Sequence, residues 1–146
     1  MIVDGNLTFK SHISGIIHSA SIRSGLIHVS FVSKDRSVLV KAFCVYVRPL
    51  LEYCSPVWNP HHKFLIDGIE RVQRSFTKAI PSIRYEPYLT RLGLLKLQTL
   101  EHRRLLLDLC LCYKILHGII STDLAQGFHL SGYPSTRGHC YKLRAE

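Results

Sequence analysis

Apolar residues recur at helical spacing along most of this chain, and glycine and proline mark where the pattern resets. After turn chemistry at Asp4 to Asn6, Ile13, Ile16, Ile17 and Ala20 fall three and four apart, which predicts a helix ended by Ser24 and Gly25. Residues 22–32 fit no single period. From Ser37 onward Leu39, Phe43, Tyr46 and Leu50 keep helical spacing, while Val38, Val40, Val45 and Val47 alternate as in a strand; the helical reading is adopted. Pro49 lacks a backbone donor and disfavours helical geometry at Arg48, so this helix should end there or kink into the Leu50 to Tyr53 segment.

The clearest helix follows. Leu65, Ile69, Val72, Phe76 and Ile80 form an unbroken apolar stripe, Arg71, Arg74 and Lys78 share another face, and Pro81 stops the run. A short segment carrying Tyr85, Tyr88, Leu89 and Leu92 leads to Gly93. The last long helix begins near Thr99, a suitable N-cap, with Glu101 in its first turn and Lys114, His117 and Gly118 at its end. Its stripe of Leu105, Leu109, Cys112, Leu116 and Ile119, widened by Leu106, Cys110 and Tyr113, predicts burial on most sides, in this domain or against a partner. The chain then turns polar and glycine-rich. The resulting expectation is a mainly α protein: a leader over residues 1–10, a helical domain over 11–118 and an irregular tail over 119–146.

Charge adds a class of partner to this fold. Nineteen Lys and Arg against ten acids give +9 at pH 7, and the sequence pI near 9.6 favours a polyanion, nucleic acid first. The excess concentrates between Lys63 and Arg104, where nine bases face four acids. The expected nucleic-acid-binding residues are Arg71, Arg74 and Lys78, with Arg103 and Arg104 following, as non-specific phosphate contacts. The competing reading of the same helix is a solvated face with an i,i+4 pair from Glu70 to Arg74, worth about 0.2–0.5 kcal/mol. Trp58, Tyr53 and Tyr46 are suited to stack on bases. Large rings more often bury, as core aromatics of the Pro49 to Pro60 corner.

Chemistry of a reactive kind is sparse. A metal-dependent polymerase needs clustered carboxylates, yet Asp4, Asp35, Asp67, Asp108 and Asp123 are scattered. His61 and His62 are adjacent, Cys110 and Cys112 point to nearly opposite sides of a helix, and the five cysteines include no CxxC pair; neither a zinc site nor a disulfide framework is indicated. Nucleophile-elbow, Walker and HExxH motifs are missing. No catalytic residue, metal or cofactor is expected. The apolar runs are too short and too charged for a membrane span, and the N-terminus lacks the basic region of a secretory signal, so an intracellular protein of nucleus or cytoplasm is expected.

Five blocks in fixed order carry a resemblance: LEYCSPVWNP at Leu51 to Pro60, IERVQRSFTK at Ile69 to Lys78, LEHRR at Leu100 to Arg104, YKILHG at Tyr113 to Gly118 and TRGHCYKL at Thr136 to Leu143. Together they resemble the reverse transcriptase of LINE (non-LTR) retrotransposons of the jockey-like and chicken-repeat-like kinds, over nearly the whole chain. In that family the stretch similar to DGNLTFKSHI at Asp4 to Ile13 follows the catalytic palm, and the helices after it form a thumb and linker that grip the template and primer duplex. The resemblance implies a thumb-like helical bundle whose leader is the end of a palm strand, with Arg71, Arg74 and Lys78 near nucleic acid. The palm with its aspartates and the family's endonuclease are missing from the chain. The expectation is a truncated remnant of an RNA-directed DNA polymerase, non-catalytic by itself, with a residual surface for RNA/DNA duplex. The alternative is a domesticated helical adaptor that binds protein, or the absent palm, through Leu105, Leu109, Cys112 and Leu116.

Overall fold

The computed structural model describes residues 1–3, 5 and 7–120, and among them the structure is mainly helical, with no strand. Seven α-helices follow in order: α1 Lys10–Ser30, α2 Arg36–Tyr46, α3 Arg48–Glu52, α4 Ser55–Trp58, α5 Lys63–Lys78, α6 Tyr88–Leu95 and α7 Leu100–Leu116, with a 3-10 turn at Pro81–Ile83. Ahead of α1, Leu7 and Phe9 take φ of 51° and 50°, a left-handed geometry. The expected tail over residues 119–146 lies, past Ile120, outside the described residues.

Two compact units divide the chain, Met1–Leu106 and one beginning at Leu107. In the first unit α1 packs on α5, α2 and α3, and α5 packs on α6. The core joins Ile13, Ala20 and Ile27 of α1 to Leu39 and Phe43 of α2 and to Leu65, Ile69, Val72 and Phe76 of α5. Phe43 and Phe76 meet with ring centroids 4.6 Å apart. Helix α1 passes through Ser24 and Gly25 instead of ending there, because Ile27 lies one heptad beyond Ala20 and is buried on the same face.

Local chemistry explains the remaining boundaries. The Asp35 side chain accepts the Ser37 and Val38 amides at 3.0 and 3.2 Å and caps α2. The Ser37 hydroxyl and these amides hold the Asp35 carboxyl below the usual carboxylate range. Pro49 sits in the first turn of α3 and separates it from α2, as the proline predicts. Helix α6 outruns Gly93 and ends at Lys96, in left-handed geometry with φ 53°, where the Leu97 amide returns to the Leu92 carbonyl at 2.9 Å. Helix α7 starts where Thr99 Oγ1 accepts the His102 amide at 3.2 Å, and closes at Gly118, φ 64°, with the Ile119 amide on the Lys114 carbonyl at 2.9 Å.

Candidate nucleic-acid interface

Helix α5 sorts its residues by face. Leu65, Ile69, Val72 and Phe76 are buried, whereas Arg71, Arg74 and Lys78, spaced i, i+3 and i+7, are all exposed on the opposite side. The ion pairs Arg48–Glu52 and Arg103–Glu52 involve none of the three α5 cations. The Arg74 guanidinium lies over the Tyr88 ring at 4.9 Å from its centroid.

Glu70 does not form the i,i+4 pair with Arg74 that the spacing offers. It is buried, and its carboxylate accepts the Tyr88 hydroxyl and, at 2.9 Å, the Leu100 amide at the N-terminus of α7. Gln73, also buried, donates to the Tyr88 hydroxyl at 3.0 Å and to the Gln98 carbonyl at 2.9 Å. These two polar residues, on positions that read as surface, tie α5 to α6 and to the start of α7. Burial, with the Glu70 hydrogen bond second, pushes the Tyr88 phenol well above the ordinary tyrosine range. The folded state therefore keeps this proton after the unfolded chain has lost it. Stability from Tyr88 is full below the ordinary tyrosine pKa and is lost as pH rises toward the folded value. An ultraviolet absorbance titration is expected to show one phenol ionising late, and Tyr88→Phe is expected to delete that phase; an unchanged late phase would contradict the network.

Other basic residues are occupied inside the fold. Arg91 is buried and donates to the Glu86 and Arg74 carbonyls, each at 3.3 Å. Arg103, expected on the nucleic-acid face, makes a two-bond fork with Glu52, with Nη2 at 3.0 Å from Oε2, and this partner raises its pKa further. Arg104, also expected there, is 1% exposed and donates its Nε–H to Asn59 Oδ1 at 3.1 Å. The structure thus brings Arg71, Arg74 and Lys78 together and assigns Arg103 and Arg104 to the scaffold.

The aromatics divide. Trp58 is buried and donates its indole N–H to the Tyr53 carbonyl at 2.8 Å, whereas Tyr46 and Tyr53 are exposed. Cys44, Cys54, Cys110 and Cys112 are free thiols, and no three His, Cys, Asp or Glu side chains converge as a metal site among the described residues. On α7, Leu105 and Leu109 are exposed and Cys112 and Leu116 are half-buried, so the helix is not covered on most sides by the described residues of its own chain. Among the described residues no helix is long and apolar enough to cross a membrane.

Comparison with known proteins finds a distant relative. The chain is 29% identical over 121 residues to an uncharacterized protein of Caenorhabditis elegans, an alignment covering 81% of this chain and 61% of the relative, so it spans less than two thirds of that protein's length. No family model matches the chain, and no solved structure does.

Proposed function

We propose that this chain is a helical, thumb-like part of a LINE-type reverse transcriptase that binds nucleic-acid duplex weakly and without sequence preference. One observation carries the reading: Arg71, Arg74 and Lys78 line up exposed on α5, outside both ion pairs to Glu52, while Arg91, Arg103 and Arg104 around them are engaged internally. Three aligned cations on a rigid helix suit phosphate contacts, which position a protein on a strand and read no sequence. The blocks similar to the retrotransposon enzyme, found in that family's order, support the same partner.

The test is fluorescence anisotropy of the full chain with two labelled RNA–DNA hybrids of unrelated sequence. Equal affinity for both is expected, with log Kobs falling against log salt at a slope near −3, since each phosphate contact contributes about −0.9. A clear preference for one sequence, or binding indifferent to salt, would overturn it. The adaptor reading draws support from the exposed Leu105 and Leu109. It requires Leu105→Glu with Leu109→Glu to abolish capture of a specific protein while leaving hybrid binding intact.

A further inference from the structure

A groove of about 330 Å³ runs between α1 and α5, within the range of pockets that hold one small ligand. Its walls are mainly apolar, from Ile17, Val72 and Phe76, and the polar side chains that interrupt them include Ser24, His28 and Arg71. Ser24 is 7% exposed and its hydroxyl has no hydrogen-bond partner. The neighbouring Ser21 shows what a helix serine ordinarily does, donating to the Ile17 carbonyl one turn back at 2.7 Å. A buried hydroxyl left unbonded costs stability until something enters the groove to meet it.

The other two groups define what that is. His28 Nε2 lies 3.2 Å from the Phe76 carbonyl oxygen, so Nε2 carries the proton and Nδ1 is left as an acceptor on a ring tilted 38° to that of Phe76, with centroids 4.5 Å apart. Burial holds this imidazole below its ordinary pKa, hence neutral at pH 7. Arg71 adds a cation at the rim. A flat heteroaromatic ring with a hydrogen-bonding edge and an attached anion satisfies all three. Arg71 also belongs to the basic row, whose length from Arg71 to Lys78 is about 10 Å at 1.5 Å per residue, roughly three phosphate spacings of one strand.

We propose that the α1–α5 groove takes one unpaired nucleotide of a bound strand, the base between α1 and α5 and its phosphate on Arg71. This rests on the nucleic-acid reading above. Gly25 supplies a clean block: it lines the groove, and a Cβ there would meet no atom within 4 Å. Gly25→Leu therefore fills the groove while improving helix propensity and leaving Arg71, Arg74 and Lys78 in place.

The experiment compares two labelled RNA–DNA hybrids, one fully paired and one carrying a single unpaired nucleotide, on the full chain. The native chain is expected to bind the second about tenfold tighter, the scale of one stacked base. Gly25→Leu is expected to erase that preference and to keep both the affinity for the paired hybrid and its salt slope. Ser24→Ala, which changes one atom and no volume of consequence, is expected to reduce the preference severalfold and serves if the leucine variant misfolds. Equal binding of the two hybrids by the native chain, or a preference that survives Gly25→Leu, overturns the groove assignment and leaves the basic row standing. Failure to bind either hybrid overturns both.

Discussion

Trp58→Ala is expected to remove about 3–5 kcal/mol of folding stability, the ordinary loss for deleting a fully buried tryptophan. Trp58 is the largest of the fully buried side chains, and its ring meets His12 edge-on at 5.7 Å between centroids. Its indole N–H bonds the Tyr53 carbonyl, so the same side chain fills the core and holds the turn between α3 and α4. Stability of a domain this size is about 5–15 kcal/mol, which puts the variant near the edge of folding. A urea titration followed by circular dichroism should show the midpoint fall steeply. Trp58→Phe, which keeps most of the apolar volume and loses the hydrogen bond, should lose about 1 kcal/mol beyond its smaller cavity. A loss under 1 kcal/mol for the alanine variant would contradict the packing described.

Glu70→Ala is expected to cost about 3 kcal/mol, from two hydrogen bonds to a charged acceptor at about 1.5–3 kcal/mol each, part of it recovered by relaxation. The carboxylate bonds both the Tyr88 hydroxyl and the Leu100 amide, so its loss strands a phenol and the first amide of α7 together. Glu101→Ala, on an exposed residue in the first turn of α7, is the control and should change stability by no more than about 1 kcal/mol, the scale of a carboxylate at a helix N-terminus. Equal effects in the two variants would mean that Glu70 is an ordinary surface acid.

Helix α5 was legible because two signals agreed: the apolar stripe and the basic row have the same period on opposite faces. Thr99 as N-cap of α7, Gly118 as its terminator and the break at Pro49 were legible for the same reason, since each residue has one dominant backbone role. Helix α1 was not. Ile22, Leu26 and Val29 are exposed on the side away from Ile13, Ala20 and Ile27, so apolar residues ring the helix and no period marks its true length. With that signal absent, Gly25 read as a stop, although a glycine within a helix costs only about 1 kcal/mol and tertiary burial of Ile27 outweighs it.

The candidate site was half legible. Exposure of Arg71, Arg74 and Lys78 followed from their angle to the stripe, and so did the choice of helix for the valine-rich Ser37 to Tyr46 run. The inward turn of Glu70 and Gln73 did not follow, because polar residues bury only where partners from distant segments wait, here Tyr88, Gln98 and Leu100. The internal partners of Arg103 and Arg104 were hidden for the same reason, with Glu52 and Asn59 lying 51 and 45 residues away in sequence.

The most direct test of the nucleic-acid reading is the salt dependence of hybrid binding by the Arg71→Gln, Arg74→Gln, Lys78→Gln variant beside the native chain. All three side chains lie off the buried stripe, so helical content should match. The account predicts a slope of log Kobs against log salt shallower by about two to three units, with affinity at 50 mM salt reduced in step. An unchanged slope in a variant that still folds would contradict it, and would leave this face of α5 as solvated surface alone.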